Sequence, residues 1–248
     1  MKNRIFIGVG LFVAFVILAL LDIFLINFIL FAIMLGLAFN ESLKLYDIDF
    51  KQLYIVPLAF FCLLPFLGKG LESAFKIICL NLIVIASFLA YFKSSNLKLI
   101  LPFIYPTAPI FLMFGLYQYF GINVLFWLIF TVIATDSGAY FVGKMIGERP
   151  FSPSSPNKTI EGVVGGFVLG SVLGSIFAFI FVDVGFDIAL LASVLISLFS
   201  IFGDLFESYL KRLAGTKDTS QILGEHGGIL DRIDGYLFGA CAVYLVIA

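Results

Sequence analysis

Asp204, Glu207, Ser208, Lys211 and Arg212 lie in one short polar stretch at the end of a long apolar run. If that run continues as a helix, Asp204, Ser208 and Lys211 share a face at i, i+4 and i+7. Glu207 and Lys211 can also pair at i, i+4. A solvated helix end with an ordinary ion pair would give the same pattern. Downstream come Lys217-Asp218 and then the chain's single histidine, in Gly224-Glu225-His226-Gly227-Gly228. Asp231, Arg232 and Asp234 open the last apolar run, with Asp231 and Asp234 at i, i+3 on one helix face.

Carboxylates beside a membrane boundary are expensive unless a cation or an arginine meets them. A helix N-terminus favours them by only about 0.3–1 kcal/mol. A hard divalent cation such as Mg2+ takes one or two carboxylates together with substrate phosphate oxygens. Asp204, Asp231 and Asp234 could supply the carboxylates. Lys211, Arg212, Lys217 and Arg232 could hold the phosphates. Glycines around His226 would let backbone N–H groups approach an anion. His226 itself fits a general base, a metal ligand or a simple hydrogen-bonding residue. Together the set reads as a metal–polyphosphate site, and without a GxxxxGK[ST] motif it is not a P-loop.

A second polar block precedes it. It contains Asp136-Ser137-Gly138-Ala139-Tyr140, then Gly143-Lys144, Arg149 and Pro156-Asn157-Lys158-Thr159-Ile160-Glu161-Gly162. Asp136 stands at a membrane face, where an acid is a functional candidate by default. Lys144, Arg149 and Lys158 fit phosphate binding and also plain anchoring on the positive side of a membrane. Glycines at 162, 165, 166, 170 and 174 give the following run a small-residue stripe, which reads as helix packing.

The elements that must position these residues are membrane helices. The 248-residue chain is 62% hydrophobic and 12% charged, against roughly 45–50% and about 25% for a soluble domain. That excludes a soluble globule, a disordered chain and a basic nucleic-acid binder. Runs between charges fall at residues 5–21, 23–39, 52–68, 77–92, 99–120, 122–142, 162–182, 188–203 and 233–248. This predicts an all-α polytopic protein of nine spans. Pro102, Pro106 and Pro109 predict a bent or partly unwound fifth span. With the N-terminus inside, all basic residues except Lys69 and Lys76 fall on the inner side, which supports this count and orientation together. The loops 143–161 and 204–232 then face the cytoplasm. Residues 1–120 read as a five-span scaffold and oligomerisation part, and 121–248 as the catalytic part. Cys62, Cys79 and Cys241 sit in apolar runs without CxxC spacing and read as small hydrophobes. Residues 5–21 read as a retained first span rather than a signal peptide.

The stretch Ser208-x-Leu210-Lys211-Arg212-x4-Lys217-Asp218-x-Ser220-x2-Leu223-Gly224-x-His226-Gly227-Gly228-Ile229-x-Asp231-Arg232-Ile233-Asp234 resembles the signature of the phosphatidate cytidylyltransferase (CDP-diacylglycerol synthase) family. The blocks at 136–140 and 155–162 resemble that family's second conserved region, so the resemblance spans about 120–234. Gly224-Glu225 stands where the family commonly has Pro-Gly, and Ser137 where it often has Thr.

The resemblance implies that CTP and phosphatidic acid give CDP-diacylglycerol and pyrophosphate, in a Mg2+-dependent reaction of phospholipid biosynthesis. It implies an integral protein of the bacterial inner membrane, surrounded by membrane lipids, acting as a homodimer and without nucleic acid. It carries metal binding to Asp204, Asp231 and Asp234, and the number of acids leaves room for a second cation, K+ or a divalent ion. It carries catalytic roles to Asp204, Lys211, Arg212, Lys217, Asp218, His226, Asp231 and Asp234. Substrate contacts fall to Asp136, Ser137, Tyr140, Lys144, Lys158, Thr159, Glu161, Ser208, Gly227, Gly228 and Arg232. The attacking phosphate oxygen is anionic at neutral pH, so charge neutralisation and alignment matter more than a strong base. Two competing readings are a CTP-dependent lipid kinase and an ion-coupled transporter using Asp136 and Asp204.

Overall fold

A computed structural model of the chain describes residues 21–68, 71–224 and 227–247. The first expected span and His226 lie outside the described residues. Helix α1 runs Phe24–Leu45, α2 Ile55–Leu63, α3 Leu71–Tyr91, α4 Ala108–Phe120 and α5 Ile122–Ile146. A short hairpin follows, β1 Pro150–Ser152 and β2 Ser155–Thr159, and then α6 Ile160–Phe181, α7 Phe186–Leu213 and α8 Leu230–Ile247. Six helical segments are long and apolar enough to cross a membrane: Phe24–Leu45, Glu72–Tyr91, Leu97–Phe120, Ile122–Ile146, Ile160–Phe181 and Phe186–Leu213. The third expected run is a shorter apolar segment, Lys51–Phe66. Helix α8 is apolar beyond its first turn, where Asp231, Arg232 and Asp234 sit.

The fifth expected span is broken where its prolines stand. A 3-10 turn at Leu97–Ile100 leads into a wide turn at Phe103–Thr107, in which Tyr105 is extended (φ −139°, ψ 118°), before α4 begins. Pro106 cannot donate to the preceding turn, so the regular ladder cannot pass through it. Cys62 is exposed, Cys79 and Cys241 are half-buried, and all three are free.

Helices α5, α6, α7 and α8 pack in chain order, and α4 lies against α8. The glycine stripe makes the α5–α6 contact. A Cβ at Gly162 would lie 2.6 Å from the Ala139 carbonyl, and one at Gly166 would run into the Thr135 carbonyl and the Ala139 backbone. Only hydrogen at these positions lets the two backbones touch, as small-xxx-small packing requires. Polar ties then join α5 to α7: Trp127 Nε1 donates to Ser193 Oγ at 2.9 Å, and Thr135 Oγ1 to Ser197 Oγ at 3.1 Å. The N-terminal half packs through aromatic rings, with Phe61 4.8 Å from Phe114 and 5.1 Å from Phe28.

The loop 143–161 contains the hairpin, an exception to an all-helical reading. Its strands are antiparallel, with Pro150 opposite Thr159 and Ser152 opposite Ser155. Ser152 Oγ accepts from the Ser154 N–H at 3.2 Å across the turn. Thr159 caps α6, its hydroxyl accepting from the Gly162 N–H at 3.2 Å, as N-cap threonines do.

Candidate active site

Tight α5–α6 packing brings the hairpin over the ends of α5 and α7. A cleft of about 430 Å3 opens there, lined by Asp136, Tyr140 and Lys144 of α5, Asn157 and Lys158 of β2, and Asp204 of α7. Lys158 Nζ is ion-paired with Asp204 Oδ2. Ser208 Oγ lies 3.3 Å from Asp204 Oδ1, one turn further along α7. Lys144 Nζ stands 5.9 Å from the Tyr140 ring centroid, within cation–π range. Two ammonium groups and two carboxylates therefore share one open cleft, with Ala139 and Val163 as its apolar wall.

Beside the cleft, α7 and α8 are joined through Lys211. Its Nζ lies 2.8 Å from both Glu207 Oε2 and Asp231 Oδ1. All three side chains are largely shielded, Glu207 completely. The i, i+4 pair expected from the sequence is thus present, and a second acid from another helix completes it. Asp231 Oδ2 accepts the Thr219 N–H at 2.9 Å and the Gly228 N–H at 2.7 Å, and the Thr219 hydroxyl lies 3.0 Å from it. The loop geometry needs Gly227, which has φ +82° and whose added Cβ would meet Asp231 Oδ2 at 2.6 Å. Helix α7 ends in a Schellman turn, with Gly215 at φ +67° and the Thr216 N–H bonded to the Lys211 carbonyl at 2.9 Å, the usual way of satisfying terminal carbonyls.

The remaining expected residues distribute unevenly. Arg212 is exposed and reaches the Thr216 carbonyl at 3.5 Å, while Lys217 and Asp218 are exposed on the following turn. Glu161 does not line the cleft. It pairs with Arg149 at 2.8 Å and accepts the Glu148 and Arg149 N–H groups, bracing the hairpin. Ser137 is half-buried on α5, and Arg232 stands in the first turn of α8. Asp234 faces Glu207 across the α7–α8 contact and lies within electrostatic reach of Asp204.

Two residues of the N-terminal half reach this region without having been expected there. Tyr105, at the broken turn, packs edge-on against Phe206 at 5.1 Å and Phe238 at 6.0 Å. Its buried hydroxyl has no hydrogen-bond partner among the described residues, and the buried Glu207 carboxyl beside it meets the carboxyl of Asp234. Both Asp234 and Glu207 act on that phenol electrostatically. Glu41 of α1 reaches the 219–230 loop. The usable signals were a lone acid near the end of an apolar run and a proline-broken helix, which at membrane depth lines protein or a cavity.

The Cytidylyltransferase family profile matches residues 2–248. A Helicobacter pylori (strain J99) protein named phosphatidate cytidylyltransferase is 41% identical over 99% of this chain and 91% of its own length. Its counterpart from strain 26695 is 40% identical, covering 89% of this chain and 84% of the relative. A Bacillus subtilis protein of the same name is 40% identical over 52% of this chain and 49% of its own.

Proposed function

The chain belongs to the cytidylyltransferase family, and from that premise we propose that it transfers the cytidylyl group of CTP to phosphatidate, giving CDP-diacylglycerol and pyrophosphate. The observation that carries the reading is the identity to phosphatidate cytidylyltransferases along nearly the whole chain, together with a cleft that pairs ammonium groups with carboxylates.

A phosphate oxygen of phosphatidate attacks the α-phosphorus of CTP. The bond from that phosphorus to the α,β-bridging oxygen breaks, and its electrons leave with pyrophosphate. No proton need be removed from the attacking oxygen at neutral pH, so the protein's task is to hold two anions together. Lys144 and Lys158 supply positive charge in the cleft. Lys158 can exchange its Asp204 partner for a phosphate without leaving the site. The apolar wall of Ala139 and Val163 suits the lipid side, and the polar hairpin suits the nucleotide side.

Mg2+ fits the donor set in one respect. The Asp234 carboxyl lies against the buried Glu207 carboxyl and within electrostatic reach of Asp204, a gathering of acids that a cation would neutralise. Among the described residues no three His, Cys, Asp or Glu side chains gather as a protein-only metal cage. Mg2+ typically takes only one or two carboxylates and completes its shell with phosphates and water. Asp204 and Asp234 would hold it, while Asp231 already accepts from Lys211, Thr219 and Gly228. When bound, the ion would neutralise phosphate charge as pyrophosphate leaves. The same reading includes the nine-span topology with this cleft on the cytoplasmic face of a bacterial inner membrane, and a homodimer.

The test is purified protein in detergent with CTP and a panel of lipid phosphates, with and without Mg2+. CDP-diacylglycerol formed from phosphatidate only when Mg2+ is present supports the reading. Absence of any nucleotide–lipid product contradicts it.

A further inference from the structure

Glu41 sits in the last turn of α1, 178 residues before Thr219 in the chain, and is 1% exposed. A carboxylate offers about four acceptor positions, and three donors and a shared hydroxyl meet this one. Oε1 accepts the Ser220 hydroxyl at 2.6 Å and the Ile229 N–H at 3.0 Å. Oε2 accepts the Leu230 N–H at 2.7 Å and lies 3.0 Å from the Thr219 hydroxyl, whose single proton it shares with Asp231 Oδ2. The two N–H groups are among those a helix start leaves without intrahelical partners, so Glu41 caps α8 from another helix, with its charge at the positive end of the helix dipole. The two hydroxyls belong to the opposite end of the same loop. One carboxylate therefore ties both ends of the 219–230 segment together.

Thr219 carries this order onward. Its Oγ1 lies 3.0 Å from Glu41 Oε2 and 3.0 Å from Asp231 Oδ2, and Asp231 in turn holds Lys211. The space between is closed: a Cβ on Gly228 would collide with both Thr219 Oγ1 and the Glu41 carboxylate.

We propose that Glu41 is a positioning residue for the transfer reaction, fixing the 219–230 loop and, through Thr219, the Asp231–Lys211 pair; the proposal rests on the function assigned above. Glutamine cannot replace it. Each carboxylate oxygen faces one backbone N–H, so in either flip the amide sets its NH2 group against a donor that cannot accept.

The test compares the full-length chain in detergent micelles as wild type, Glu41→Gln, Thr219→Val, Ser220→Ala and the Glu41→Gln/Thr219→Val double variant. Amide exchange across 219–230 and across α6 is followed, with steady-state kinetics on CTP and phosphatidate. Glu41→Gln is expected to speed exchange in 219–230 while leaving α6 unchanged, and to lower kcat at least about tenfold. The double variant should be no slower than Glu41→Gln alone, because both changes cut one route. Unchanged loop exchange in Glu41→Gln overturns the proposal. So does a lower yield with wild-type kcat per folded molecule, or a simple product of the two single effects on kcat. Should Glu41→Gln not fold, Ser220→Ala removes one of these donors, and wild-type exchange and kcat in that variant overturn the proposal. If the wild type itself makes no CDP-diacylglycerol, the functional assignment fails, and loop exchange alone decides the role of Glu41.

Discussion

Lys211 and Asp231 lie 2.8 Å apart across the contact between α7 and α8, and this pair joins the two halves of the signature stretch. Glu207, fully buried, shares the same ammonium group at 2.8 Å. One positive charge thus holds two shielded acids where α7 meets the start of α8. Lys211 reads first as a residue that sets the spacing of carboxylates and only then as a group for phosphate.

Removing that charge leaves two acids without their ammonium partner. Lys211→Ala should destabilise the protein by about 3–5 kcal/mol, the range for breaking a buried pair from one side. Thermal unfolding in detergent measures this. A wild-type midpoint would contradict this role for Lys211.

Asp204→Asn and Asp231→Asn should each lower kcat at least about 100-fold, near 2.7 kcal/mol of transition-state stabilisation. The causes differ. Asp204→Asn removes the acid that holds Lys158 in the cleft. Asp231→Asn sets an amide against Lys211 on one side and the Thr219 and Gly228 N–H groups on the other. Near-normal turnover in either variant at saturating Mg2+ would remove that residue from the machinery.

The sequence revealed local relationships well and distant ones poorly. The Glu207–Lys211 pair follows from helical spacing, the glycine stripe of α6 from its period, and the break at Tyr105 from its flanking prolines. Each depends on neighbours within one or two turns. Glu41 could not be read this way, because its partners Thr219 and Leu230 are 178 and 189 residues further on. The hairpin is hidden for another reason: Phe151 and two prolines aside, its strands are polar and short, so no apolar alternation marks them. Glu161 stands within the motif, and what its position could not reveal is that Arg149 and two backbone N–H groups meet its carboxylate.

Gly166→Ala should destabilise the α5–α6 contact by about 1–3 kcal/mol, as overpacking does. The added methyl group meets the Thr135 carbonyl and Ala139 backbone, which cannot rotate away. Val164→Ala, on the exposed face of the same helix, is the control and should change the unfolding midpoint little. Equal midpoints for the two variants would contradict the close packing of α5 on α6.

The inner bias of basic residues predicts opposite topological reporter signals from the hairpin turn at 153–154 and from a fusion after residue 248. Matching signals would contradict the nine-span arrangement.

The most direct measurement follows which phosphate of CTP reaches the lipid. Purified protein is given phosphatidate and CTP labelled either at the α-phosphate or at the γ-phosphate. Attack at the α-phosphorus predicts that the α-label appears in lipid and the γ-label in released pyrophosphate. A γ-label in the lipid would mean phosphoryl rather than cytidylyl transfer, and would contradict the account.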